Sequence, residues 1–195
     1  MKVNVRPQSR VLNRAREEIV TSRTLRRLIG VAVFAMATAF GAKVAIPLPG
    51  TLVPFTLQAV FVLLAGAILG PGLGAASQAA YLAVGALGAP VFAVGGGLAY
   101  LLGPTGGYLL AFPAAALAVG VIAGRAGGVL KVLAGLVVGM AIIQVGGMIG
   151  LAAVMGSIDQ AFSQGVGPFL ALGVVKIGLA LLVSMRIRPR ALELF

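Results

Sequence analysis

Residues 44–124 read VAIPLPGTLVPFTLQAVFVLLAGAILGPGLGAASQAAYLAVGALGAPVFAVGGGLAYLLGPTGGYLLAFPAAALAVGVIAG, and none of them is Lys, Arg, Asp, Glu or His. Lys43 is the single charged residue between Arg27 and Arg125. No soluble domain can hide such a run, because much of any globule's surface must face water. A bilayer removes the difficulty. A spanning helix needs roughly 20 predominantly apolar residues, so this stretch alone has room for four passes. The whole chain of 195 residues follows the same pattern, at 60% hydrophobic and 10% charged, with a mean hydropathy of +1.10. The expected fold class is an all-α integral membrane protein.

Turn residues divide the apolar sequence into six passes, near 25–46, 52–70, 74–92, 107–125, 129–153 and 166–186. Pro47, Pro49, Gly50 and Pro54 break the first junction, and Gly70-Pro71-Gly72 makes a tight second one. The third junction is longer and rich in glycine, from Ala93 through Gly95, Gly96 and Gly97 to Gly106 and Gly107. Gly127 and Gly128 mark the fourth, and Gly156 to Gly167 supplies the fifth.

Charge orients these passes. Eight basic residues lie at or before Arg27, Arg125 and Lys131 lie in the 4–5 loop, and Arg186, Arg188 and Arg190 follow the last pass. With both ends inside, thirteen of the 15 Lys and Arg residues fall on the cytoplasmic side. Asp159 falls outside. The expected organisation is a basic cytoplasmic tail (1–27), a six-helix membrane domain (28–186) and a short basic cytoplasmic tail (187–195), in a bacterial cytoplasmic (inner) membrane. The N-terminal segment has the charge of a signal-peptide n-region but is too long for one, and apolar passes continue far beyond it. It reads as a tail on anionic lipid.

Several function classes fall away. The net charge of +11 follows from topology, so no nucleic-acid partner is implied. Histidine and cysteine are absent, which removes disulfides, thiolate metal sites, Cys nucleophiles and His bases together. The four carboxylates are Glu17, Glu18, Asp159 and Glu193, and only Asp159 lies between passes. No catalytic residue, metal site or cofactor is expected, and the chain does not read as an enzyme. No G-x-x-x-x-G-K-[ST] loop is present, so any ATP dependence must come from a partner.

The exceptional residue is Lys176, near the middle of the sixth pass and remote from either surface. A lysine at that depth costs several kcal/mol unless it pairs or faces a wet cavity. No carboxylate is placed to pair with it, so a carboxylate carried by a ligand is the natural counter-ion. Lys43, at the outer end of the first pass, is close enough to snorkel. Of the polar residues inside the passes, Ser77, Gln78, Gln144, Tyr81 and Tyr100 read as interhelical hydrogen-bonding groups. Gln58 and Tyr108 stand beside the two broken, glycine-rich junctions, where irregular backbone is tolerated only if it lines a cavity or is buried in protein. Pairs such as Gly66/Gly70/Gly74, Gly120/Gly124, Gly135/Gly139 and Gly146/Gly150 have the spacing of close helix packing. Ala35 and Ala39 have it too, facing either the bundle or a partner helix.

Three segments resemble the BioY family, the biotin-specific substrate-binding (S) components of energy-coupling-factor (ECF) vitamin transporters. They are Ile46-Pro-Leu-Pro-Gly-Thr-Leu-Val-Pro-Phe55-Thr-Leu-Gln58 with Phe61 to Gly66, Gly88-Ala-Pro-Val-Phe92 through Gly95 and Gly96 to Gly103-Pro-Thr-Gly-Gly-Tyr108, and Pro168-Phe-Leu170 followed by Lys176. The resemblance spans about residues 28–186. It implies a six-helix S component, N-in and C-in, with an outward pocket under the two loops. Lys176, Gln58, Tyr108, Gly95, Gly96, Gly106, Gly107 and Phe55 would then bind biotin, with Lys176 on its carboxylate. It also implies that Ala35 and Ala39 dock the transmembrane coupling subunit, which works with ATP-binding cassette ATPases. The chain departs from the family at Gly173, where an Asp is usual. That removes an acceptor for ureido N–H groups and a counter-charge for Lys176. The expected function is high-affinity biotin capture and uptake; the alternative is a self-sufficient carrier for another small carboxylate-bearing vitamin.

Overall fold

The computed structural model describes the backbone of residues 7–125 and 127–191, with side chains from Ser22 onward. It is mostly helical. In chain order the elements are α1 (Pro7–Lys43), β1 (Ala45–Ile46), β2 (Phe55–Thr56), α2 (Gln58–Leu69), α3 (Pro71–Ala86), α4 (Leu98–Leu101), α5 (Gly106–Leu110), α6 (Phe112–Ala123), α7 (Val129–Met155), α8 (Ile158–Ala161), a π-helical turn (Phe162–Val166) and α9 (Phe169–Ala191). Among the described residues, four helical segments are long and apolar enough to cross a membrane: Ser22–Lys43, Gly106–Ala123, Val129–Met155 and Phe169–Ala191. The surface of these helices carries bare Leu28, Met36 and Phe40 on α1, Val145 and Ile149 on α7, and Val174 and Leu182 on α9. Lipid, not water, is the solvent for such a surface. The chain is a multi-pass membrane protein.

Helix boundaries differ from the expected ones for local reasons. The second helix starts at Gln58, not near 52. Pro47, Pro49 and Pro54 deny the helix its N–H donors, and the chain instead forms a two-stranded antiparallel hairpin, Ala45 opposite Thr56 and Ile46 opposite Phe55. Leu57 then donates its N–H to Gly41 O at 3.1 Å, fastening the start of α2 to the end of α1. The third helix runs from 71 to 86 rather than from 74 to 92. Gly88, at φ +102°, and Pro90 stop it, and the chain turns so that Phe92 is fully buried against Gly85. The fourth segment is α5 and α6 in succession, interrupted at Ala111 just before Pro113. At the chain ends, α1 already begins at Pro7 and α9 continues to Ala191, so the basic stretch before Arg27 extends the first helix.

Gly70 makes the α2–α3 hairpin possible. It adopts φ +81°, closes α2 through its N–H on Gly66 O (3.1 Å), and hands the chain to Pro71 at the first position of α3. With ψ at −179° the backbone is in a region that only glycine enters easily, and the proline that follows suits the first turn of a helix. The glycine pairs are packing devices. A Cβ on Gly150 would stand 2.6 Å from Gly107 Cα, and one on Gly120 would stand 2.6 Å from Pro71 Cα. Helix backbones touch there because no side chain intervenes.

Candidate functional site

The hairpin, the α4–α5 connection, the middle of α7 and the first turns of α9 converge on an inner cavity of about 60 Å³. Its wall includes Val53, Pro54, Thr56, Gln58, Tyr100, Thr105, Tyr108, Phe112, Met140, Gln144, Phe169 and Lys176. Beside it lies a more open cleft of about 340 Å³, lined by Pro47, Leu48, Leu52, Val94, Gly103 and Pro104. Pro54, Tyr100 and Thr105 belong to both. They form the partition between cleft and cavity. Ligand pockets usually measure roughly 300–1,000 Å³; the two spaces together reach that range and the inner one alone does not.

Lys176 is buried on α9, 9% exposed, and its Nζ sits 4.4 Å from the centroid of the Phe55 ring. The single carboxylate among the described side chains, Asp159, is exposed beyond α7. Phe55 stabilises the ammonium through its ring face but supplies no negative charge. An anion entering the cavity therefore meets a cation that has only an aromatic ring for company.

Gln58 is committed elsewhere. It accepts from Thr56 Oγ1 at 3.1 Å and donates from Nε2 to Tyr81 Oη at 2.6 Å, while Tyr81 Oη donates to Val91 O at 3.2 Å. This chain ties the hairpin, α2, α3 and the Phe92 loop into one wall. Tyr108 donates its hydroxyl to Gly165 O at 2.7 Å, and its ring lies over Gly147. It offers the cavity a fixed aromatic face.

Gly95, Gly96, Gly106 and Gly107 do not line the cavity. Gly95 O accepts the Phe92 N–H at 2.9 Å, Gly96 packs on Ala89 and Gly106 on the Leu101 carbonyl, and Gly107 lies between Gly146 and Gly150. Gly96, Gly106 and Gly107 let the loop pack closely enough to present Tyr100, Thr105 and Tyr108, whereas a Cβ on Gly95 would stand in open space.

Tyr100, Thr105, Met140 and Phe169 also belong to this wall, and no pattern in the sequence assigns them to it. Gln144 reads from the sequence as a helix-packing group, yet its Nε2 is buried without a hydrogen-bond partner. The other amides of the bundle are satisfied: Gln78 accepts from Thr38 Oγ1 at 3.1 Å and donates to Ser77 Oγ at 3.0 Å. Lys43, expected to snorkel, donates to Phe92 O at 2.8 Å and secures the loop over the cavity. Ala35 and Ala39 are half-buried, on the edge between the face of α1 that packs inward at Thr38 and the bare face at Met36 and Phe40.

Taken together, these features define a polytopic membrane protein with a small-molecule cavity near one end of its helix bundle. The BioY family model matches residues 12–193. A Pyrococcus horikoshii protein named "Probable biotin transporter BioY" is 42% identical over 81% of this chain and 93% of its own length. The "Biotin transporter BioY" of Thermotoga maritima is 37% identical over 87% of this chain and 99% of its own. The solved S-component for biotin from an ECF-type ABC transporter shares the fold, with a TM-score of 0.78 at 24% identity, covering 85% of this chain and 92% of that one. The chain belongs to the BioY family.

Proposed function

We propose that this protein captures biotin at the outer face of the cytoplasmic membrane as the S component of an ECF-type transporter. The observation that carries the reading is Lys176, a buried ammonium in the cavity wall with an aromatic neighbour and no carboxylate beside it among the described side chains. The relatives named as biotin transporters supply the ligand, and biotin's carboxylate is the matching anion. Biotin enters through the outer cleft, displaces the partition of Pro54, Tyr100 and Thr105, and extends toward Lys176. Phe55 and Tyr108 supply apolar faces, Gln58 holds the wall, and the glycines shape the loop.

In this reading the bundle crosses the membrane six times, N-in and C-in, with residues 28–186 as the membrane domain. Helices α2 and α3, of 12 and 16 residues, complete their crossings with the hairpin and the Phe92 loop. A reporter fused after Arg125 should read cytoplasmic and one after Asp159 external; the reverse at either point breaks the topology. The small-residue edge of α1 at Ala35 and Ala39 docks the coupling subunit, whose ATPases drive uptake. Ala39→Trp should abolish uptake by cells while sparing binding by the isolated protein. Unchanged uptake removes that edge from the interface.

The test of the function itself is binding by purified protein against a panel of vitamins. Biotin should bind, and its methyl ester should bind at least tenfold more weakly. An ester that binds as well as the acid removes Lys176 as the anion reader. Binding of another vitamin in place of biotin overturns the ligand assignment, and transport by this chain alone in vesicles overturns the S-component role.

A further inference from the structure

Gln144 is the cavity group that the proposed function leaves unused. It lies on α7 one turn from Met140, so the two share a helix face, and both line the inner cavity. Nε2 of Gln144 is buried and meets no acceptor. A buried donor left in this state is costly, and in a native protein it calls for an explanation. The other buried amides, Gln58 and Gln78, each have two side-chain hydrogen bonds. Gln144 is the exception among them, and it faces the space a ligand would occupy.

Its position relative to Lys176 gives the ligand a length. A Cβ on Gly173 of α9 would touch Met140 Cγ at 3.7 Å, so these two positions mark the same level. With α7 and α9 antiparallel, as six passes require, Gln144 lies one turn to one side of that level and Lys176 one turn to the other. At 1.5 Å of rise per residue the two backbones are offset by roughly 10 Å. An amide and an ammonium at that separation suit a ligand with a carboxylate at one end and a polar head at the other. A primary carboxamide carries a donor and an acceptor side by side. A cyclic urea carries the complementary pair on each N–H/C=O edge.

We infer that Gln144 reads the urea ring of the ligand, pairing its carboxamide with one N–H/C=O edge while Lys176 holds the carboxylate. The inference rests on the proposed biotin function and adds a second point of recognition. It also gives the ring a polar partner in a chain whose α9 has Gly173, not an acid, on the cavity side.

The experiment measures binding to the purified full-length protein of two ligands, biotin and the diamino acid left when the urea carbonyl is removed. Gln144→Met keeps the length of the side chain and deletes its hydrogen bonding. It should weaken biotin at least fivefold and change the diamine less than twofold. Gln144→Glu replaces the N–H donors with an acceptor and should shift preference toward the diamine by more than fivefold. If Gln144→Met does not fold, the ligand preference of Gln144→Glu decides the matter. Biotin binding within twofold of wild type in Gln144→Met overturns the inference, as does an equal loss for both ligands, which would mark a packing role. In either case wild-type biotin binding leaves the proposed function standing. A wild type that binds no biotin overturns both.

Discussion

Two cations share one stripe of α9 and have opposite surroundings. The buried face of that helix is Phe169, Gly173, Lys176, Ala180, Ser184, Arg188 and Ala191, at helical spacing throughout. At one end Arg188, 6% exposed, donates to Gly127 O at 2.9 Å, to Ala123 O at 3.0 Å and to Gly124 O. These carbonyls lie at and just past the C-terminus of α6, where the last turn leaves acceptors without helical partners and the helix dipole is negative. At the other end Lys176 has a phenyl ring and the cavity wall around it. Burial does not by itself mark a functional charge. Arg188 spends its terminal nitrogens on three carbonyls, with Nε alone left buried and unpartnered, and so ties two helices together; Lys176 has only the Phe55 ring beside it, and in the proposed function its counter-ion is the ligand's carboxylate.

The sharpest way to break this comparison is to remove each charge and read both binding and stability. Lys176→Met should weaken biotin by more than tenfold, since truncating one partner of a buried charge pair costs about 2–5 kcal/mol and 1.4 kcal/mol is already a factor of about ten. The thermal midpoint of the ligand-free protein should hold or rise, because a buried ammonium has been replaced by an apolar chain. Arg188→Met should do the reverse. Its loss leaves helix-end carbonyls without donors, worth about 1.5–3 kcal/mol for hydrogen bonds to a charged group, and the midpoint should fall while biotin affinity of the folded protein stays within twofold. Binding by isothermal titration and melting in detergent measure both. If Arg188→Met loses affinity as Lys176→Met does, the two ends of α9 are coupled and the division of labour is false.

The sequence carried the two cations unequally. Lys176 stood out because a lysine in an apolar helix has no bland explanation, and its depth could be counted from Gly167 and Arg186. Arg188 read as a tail charge, since it follows the last apolar run and its acceptors lie more than sixty residues upstream as plain backbone. Hydrogen bonds to carbonyls leave no residue pattern. The hairpin was hidden for a similar reason: Pro47, Pro49 and Pro54 announce a break in the helix but not the pairing of Ala45 with Thr56. The glycine-rich run at 95–107 was misleading in another way. None of its glycines lines the inner cavity, Gly96, Gly106 and Gly107 serve close packing, and Tyr100 and Thr105 between them form the wall.

The smallest expected effect tests how far Lys176 is free. Position 173 shares a face with 176, and its backbone is ordinary helix with space for a Cβ against Met140. Gly173→Asp should therefore fold, with the helix gaining a few tenths of a kcal/mol from the loss of glycine. The new carboxylate would pair with the Lys176 ammonium. That pair competes with the ligand's carboxylate, and it also offers an acceptor to ligand N–H groups. The two consequences oppose each other, so biotin affinity should change by less than about tenfold. The ratio between methyl ester and acid is more telling. With a protein counter-charge in place, the advantage of the acid over the ester should shrink severalfold relative to wild type. An unchanged ratio would mean that Asp at 173 does not reach the ammonium, and that the ligand carboxylate remains its only anionic partner.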